Sequence, residues 1–374
     1  MLPRNNKDRI PHEIIERTAR DKETPILIID TELIREKYDH FHRAFHWAGT
    51  YYAVKANPHP EIVKLLHELG AGFEIASEGE MELLLSLGIT PSKIISSNPV
   101  KVPNFIKSAY ASGVTFFAFD SYHEIKKLSQ LAPQSKVYVR LSVSNEDSEW
   151  PLDRKFGVDT EEAVELLVEA EKENLIPHGI TFHVGSQCTN PNAWVKAIEK
   201  SKIVWESVKR KGVELQSINV GGGFPCEYTK PIPSINDISR TIRDTLTANF
   251  PQGTEIITEP GRALVGEAGT IVSTLIAKAM RNGHQWLYLD VGVFNGLMEA
   301  VGGIEYRVTS PKKGALSKYA LAGPSCDSMD IISESIELPE LDIGDRVYLM
   351  SAGAYTTSYA SHFDGFRIPD SYLL

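Results

Sequence analysis

Cysteine is scarce in this chain. Three occur in 374 residues, Cys188, Cys226 and Cys326. An odd number so widely spread excludes a disulfide framework and fits reduced thiols. No group of Cys and His has the spacing of a metal site. No apolar run is long enough to span a bilayer. The N-terminus, MLPRNNKDRIPHEIIERTARDKE, lacks the apolar centre of a secretion signal, so a cytoplasmic location is expected. Positive charge is also short: 39 Lys and Arg against 49 Asp and Glu give a formal net charge of -10. That argues against nucleic acid or an anionic membrane as a partner. Internal repeats and low-complexity segments are missing as well. What remains is ordinary for a globular protein, with 42% hydrophobic and 24% charged residues. The length allows a large core and two domains.

Short β-rich runs alternate with helical patterns from about residue 50 to about residue 265. The runs are YYAVKA, GFEIAS, KIISSN, TFFAFD, KVYVRLS, GITFHVGS, SINVGGG and EIITEPG. Segments of helical period such as PEIVKLLHEL and TEEAVELLVEAEKE lie between them. Eight strands, most followed by a helix, predict a (β/α)8 barrel, with a doubly wound open sheet as the alternative. From about Ala268 onward, strand-like runs follow one another without regular helices. They predict an antiparallel β domain. An earlier run, TPILIID, lies outside the barrel rhythm and is placed with that second domain. The expected division is therefore 31–264 for the barrel, and 1–30 with 265–374 for the β domain.

Active sites of such barrels lie at the C-terminal ends of the strands. Those ends carry Lys55, Glu74, Ser77, Asn98, Arg140, His183, Ser186, Gly221, Gly222, Gly223, Glu259 and Arg262. Each has an ordinary reading. Lys55 is a solvated strand end or a nucleophilic amine of lowered pKa. The three glycines are a flexible turn or a backbone cradle for an anion. Glu259 and Arg262 are a local ion pair, or an acid beside a phosphate-binding guanidinium. His183 is a structural strand residue or a catalytic imidazole. Taken together, an amine, a carboxylate and an anion cradle at one barrel mouth suit pyridoxal phosphate.

The ordered motifs YYAVKANP, GFEIAS, SSNPVK, TFFAFDS, FHVGSQC, NVGGGFP, TEPGR, GPSCDSMD and AGAYTTSYASHFDGF support a closer identification. From about Thr24 to its end the chain resembles the fold-type III pyridoxal-phosphate decarboxylases. This family acts on ornithine, lysine, diaminopimelate and arginine. The resemblance implies an alanine racemase-like barrel plus a β domain, assembled as a head-to-tail homodimer. It implies that Lys55 holds the cofactor's aldehyde, that His183 stacks on the ring and that Glu259 pairs with the ring nitrogen. Ser186, Gly221 to Gly223, Arg262 and Tyr355 fall on phosphate-binding positions. Glu74 and Arg140 fall near the cofactor. Cys326 and Asp327 match the pair that reaches the partner's active site. There the cysteine protonates Cα and the acid holds the substrate's distal ammonium. Cys188 and Cys226 are structural by default.

The resemblance also bears on the substrate. Cys-Asp at 326–327 matches the ornithine and lysine branch, whereas the diaminopimelate branch has Cys-Glu there. L-Ornithine is the first expectation, with putrescine as product. L-Lysine, giving cadaverine, follows. One departure lies after DVGVFNGLMEA, where Gly302 and Gly303 stand at the place of an expected acid. Glu299 and Glu305 are the nearby substitutes. A longer or modified amino acid is the alternative substrate. A racemase and a cofactor-free regulatory homologue are the alternative functions.

Overall fold

The computed structural model of the chain describes residues 10–152 and 154–374. The first nine residues of the polar N-terminal stretch thus lie outside it. Two compact units result. Tyr38–Pro225 and Pro233–Gly261 form one. The described part of Met1–Lys37, Cys226–Ile232 and Arg262–Leu374 form the other.

In the first unit the eight runs become eight parallel strands. They are Gly49–Ala53, Gly72–Ile75, Ile94–Ser96, Phe116–Phe119, Lys136–Arg140, Ile176–Thr181, Ser217–Asn219 and Glu255–Thr258. The last strand pairs with the first and closes the barrel, which excludes the open sheet. Most strand residues are buried, as a sheet covered on both faces requires. Local sequence sets the helix starts. Ser77, Ser121, Asp159 and Ser234 accept hydrogen bonds from backbone N–H groups in the first turns of their helices. Pro60 and Pro103 occupy first helical positions, where a missing N–H costs nothing. Behind the seventh strand, Phe224 packs its ring against Phe41, Phe45 and Trp194, with centroids 5.0, 5.2 and 5.2 Å away.

The second unit is built on the long strand Gly269–Arg281. Its first half pairs antiparallel with Ile26–Ile29 and with Arg346–Met350. Its second half pairs antiparallel with His284–Leu289. A core of Ile10, Ile15, Ile26, Ile28, Val272 and Tyr348 lies beneath that first half. The sheet is mixed, which corrects the antiparallel expectation. Trp286–Tyr288 runs parallel to Ala320–Ala322, and Ile26–Ile29 runs parallel to Asp370–Leu373. Both parallel pairs join strands far apart in the chain, so no hairpin signal marks them.

Candidate active site

At the end of the first barrel strand the chain turns through a short 3-10 segment, Val54–Ala56. Val54 and Ala56 are buried, and Lys55 between them keeps 45% of its side chain exposed. Tyr52 fixes the turn by donating its hydroxyl to the Asn57 carbonyl, 3.0 Å away. The Lys55 Nζ donates to Glu74 Oε2 at 2.5 Å. Glu74 comes from the neighbouring strand, where it pairs in register with Ala53, and only 2% of its side chain is exposed. The amine is thus both accessible and held on a buried carboxylate.

His183 follows the sixth strand. Its Nδ1 accepts the Gly185 N–H at 3.0 Å, so that nitrogen carries a lone pair. Burial, then the charges of Arg140 and Lys55, hold the imidazole pKa well below its ordinary value. The ring is therefore neutral and flat, as stacking on an aromatic cofactor requires. Burial also lowers the pKa of Arg140, whose guanidinium lies 5.6 Å from the Phe156 ring centroid.

The glycine loop is sterically obligatory. A Cβ on Gly221 would lie 2.1 Å from the Phe182 carbonyl oxygen, and one on Gly223 would lie 2.4 Å from that of Gly185. Both residues have positive φ, +68° and +93°. Gly221 donates its N–H to Asn219 Oδ1 at 2.9 Å. The N–H groups of Gly222 and Gly223 donate to no protein group among the described residues. Two unspent backbone donors on a loop that admits no side chain fit a phosphate.

Glu259 directly follows the eighth strand and is 7% exposed. Its Oε1 accepts from Ser97 Oγ and, at 2.6 Å, from Asn219 Nδ2. Ser97 Oγ is also hydrogen-bonded to the Tyr138 hydroxyl. Burial raises the Glu259 pKa and Glu74 raises it further, while Lys55 and the two hydrogen bonds oppose the shift.

The β unit holds the remaining predicted residues. Arg262 is buried, and its guanidinium makes a two-pronged ion pair with Glu299, at 2.5 and 2.7 Å. It also donates to the Tyr228 hydroxyl and lies 4.8 Å from the Tyr355 ring centroid. Burial alone would lower its pKa, but Tyr228 and Glu299 outweigh it and the net shift is upward. Glu299 is thus committed to Arg262. Glu305 is exposed and accepts from Thr229 Oγ1 at 3.0 Å. Cys326 and Asp327 lie on the exposed loop between Gly323 and Asp330. Buried Asp330 shapes that loop by accepting the N–H groups of Val293 and Ser325, at 2.7 and 2.9 Å. Cys326 donates both its N–H and its thiol to Asp364 Oδ2, each at 3.3 Å.

Residues 31–266 match the family model described as pyridoxal-dependent decarboxylase, pyridoxal binding domain. The chain belongs to this decarboxylase family. It is 35% identical to the lysine/ornithine decarboxylase of Selenomonas ruminantium, over 96% of this chain and 92% of that one. It superposes on the lysine/ornithine decarboxylase of Vibrio vulnificus complexed with cadaverine, with a TM-score of 0.90 and 34% identity. That match covers 97% and 98% of the two chains. Antizyme inhibitor 2 of Xenopus laevis is 32% identical over 98% of this chain and 84% of its own. Pyridoxal phosphate is the decarboxylase's cofactor, and the barrel residues fit it: an accessible amine, a neutral ring, free loop donors and a buried acid.

Several residues around this site carry no role in the sequence reading. Ser97, Tyr138, Asn219 and Asp364 all fall in or beside quoted motifs, but their partners lie far along the chain. Other strand-end residues prove local. Ser77 caps the helix Glu78–Ser86 and Asn98 bonds the Val100 N–H. Burial raises both Cys188, to about 11, and Cys226, which makes them inert thiols. Ser186 sits in a short strand paired with Ser148–Trp150.

Proposed function

We propose that this decarboxylase acts on a basic L-amino acid, L-ornithine first and L-lysine next, and releases the matching diamine. The names of the Selenomonas and Vibrio relatives support that pair of substrates. One observation carries the choice of reaction: a buried carboxylate, Glu259, held in place at the end of a barrel strand. When bound, pyridoxal phosphate supplies an electrophilic aldehyde and an electron-accepting pyridine ring. A negative charge at Glu259 favours a protonated ring nitrogen, which makes the ring a stronger acceptor and favours loss of CO2 over racemisation.

Other side chains take complementary parts. Lys55 offers the amine for the aldehyde, and Glu74 orients its Nζ by accepting a hydrogen bond. His183 presents a neutral face for the ring. Gly222 and Gly223 direct two N–H groups at the phosphate. The resemblance in the sequence motifs supports phosphate-binding roles for Ser186, Arg262 and Tyr355 and a position near the cofactor for Arg140. Cys326 Sγ–H delivers a proton to Cα and Asp327 takes the distal ammonium, roles that the family resemblance supports. The family resemblance supports a homodimer in which Cys326 and Asp327 serve the partner's site. Reduced thiols support a cytoplasmic setting. The likeness to an antizyme inhibitor does not favour a cofactor-free role, because Lys55, His183 and Glu259 are all present.

The test is a substrate screen. Protein loaded with pyridoxal phosphate is offered ornithine, lysine, arginine, diaminopimelate and their D-forms, with amines and chirality read by mass spectrometry. Putrescine and cadaverine are the expected products. Interconversion of enantiomers without amine release would overturn the reading. So would a protein that binds the cofactor and yields amine from none of the four L-substrates, which would point to a longer amino acid admitted by Gly302 and Gly303.

A further inference from the structure

Glu259 is surrounded unevenly. Both its hydrogen bonds fall on one oxygen, Oε1, from Ser97 Oγ and from Asn219 Nδ2 at 2.6 Å. Among the described residues Oε2 has no hydrogen-bond partner. With Oε1 taken, Oε2 is the oxygen left for a donor that a ligand supplies.

The donors are themselves fixed. The Asn219 amide could in principle face either way. Its Oδ1 accepts the Gly221 N–H at 2.9 Å, so its NH2 must face Glu259. The same side chain therefore ties the carboxylate to the first glycine of the phosphate loop. A Ser hydroxyl has one proton. If the Tyr138 hydroxyl donates to Ser97 Oγ, the serine proton goes to Glu259, which completes a one-way chain from Tyr138 through Ser97 to Oε1. Tyr138 is fully buried, and its raised pKa, caused by burial and then by Glu259, keeps it a donor. Loop 97–101 is pinned from behind as well. Buried Lys101 donates to the carbonyls of Asn98, Pro99 and Ala118, at 3.0, 3.2 and 2.6 Å, and pairs with Glu124 at 2.9 Å.

We propose that Ser97 and Asn219, which occupy Oε1 of Glu259, and Tyr138, which holds Ser97, are positioning residues that present Oε2 as the acceptor for the N–H of the cofactor's ring. The inference rests on the decarboxylase reading and deepens it. All three donors are neutral. They hold the carboxylate anionic without a permanent counter-charge that would compete with the ring. The charged groups that act on Glu259 are Glu74, which opposes its ionisation, and Lys55 and Arg140, which favour it. Removing a donor therefore leaves burial and Glu74 less opposed and raises the Glu259 pKa.

The experiment uses holoenzyme loaded with pyridoxal phosphate labelled with 15N in the ring. The ring-nitrogen NMR signal distinguishes the protonated from the unprotonated ring. The wild type is expected to show the protonated signal at pH 7. Ser97→Ala and Asn219→Ala should shift it toward the unprotonated position and lower kcat, with KM little changed. Ser97→Thr, which keeps the hydroxyl, should restore both. Tyr138→Phe, which removes only the relay's far end, should give a smaller shift. This mild variant covers the case in which an alanine variant fails to fold. Folded variants with a wild-type ring-nitrogen signal would overturn the clamp and leave the decarboxylase reading intact. An unprotonated ring in the wild type would overturn the role given to Glu259 itself.

Discussion

Cys326 shows how far one contact can set a residue's chemistry. The thiol is exposed, and an exposed thiol ordinarily titrates near its free value. Here the hydrogen bond to Asp364 raises its pKa, and the charge of Asp364 adds to that rise. The direction suits a proton donor: a thiol that stays protonated has a proton to deliver. Alkylation reads the thiolate, so the rate of iodoacetamide labelling against pH should rise later than for a free cysteine. Asp364→Asn removes the charge but keeps the shape, and should move the profile to lower pH. An unchanged profile would show that the 3.3 Å contact does not persist in solution. At this scale the sequence is informative only for residues whose roles are local or motif-borne. Lys55, His183 and Glu259 are legible because each closes a strand in a recognised motif. Asp364 lies 38 positions from Cys326, and Ser97 lies 162 positions from Glu259. No periodicity or spacing rule connects residues so far apart, and only the closed barrel brings the second pair together.

Among the elements, the barrel was legible and the second sheet less so. Most of the parallel barrel strands are short runs followed by a helix, and that alternation recurs along the whole unit. Strand order in the β unit depends on long connections, and two of its pairings are parallel against expectation. The glycine loop shows how an element and a site depend on each other. Its three glycines admit close backbone approach, but nothing in them prevents fluctuation. Phe224, the next residue, is 1% exposed and supplies the anchor through Phe41, Phe45 and Trp194. Phe224→Ala should destabilise the barrel unit by about 3–5 kcal/mol, the range for emptying a buried aromatic site. It should also weaken cofactor binding, because the Gly222 and Gly223 donors lose their fixed aim. Urea unfolding monitored by circular dichroism gives the first quantity and cofactor titration the second. A stability loss without any change in affinity would mean that strand pairing alone positions the loop.

For the whole molecule, the question is where Cys326 works. Its loop is exposed, and Met329, three residues on, is 57% exposed. A proton donor to Cα has to act in a site closed to water, because bulk solvent would otherwise supply the proton without control of its face. An exposed loop bearing an acid-paired thiol therefore calls for cover. The proposed homodimer provides it, with the loop of one subunit entering the site of the other. A two-fold dimer with shared sites makes a quantitative prediction. Lys55→Ala and Cys326→Ala chains are each inactive or nearly so as pure dimers. When they are unfolded together and refolded at equal ratio, half of the dimers are mixed. Each mixed dimer then has one site with both residues native, so activity should recover to about a quarter of the wild-type value. If each subunit instead used its own Cys326, every site would lack one residue, and mixing would restore nothing. Native mass spectrometry of the refolded sample, with one chain isotope-labelled, establishes that mixed dimers formed. Mixed dimers without recovered activity would place Cys326 in the site of its own subunit.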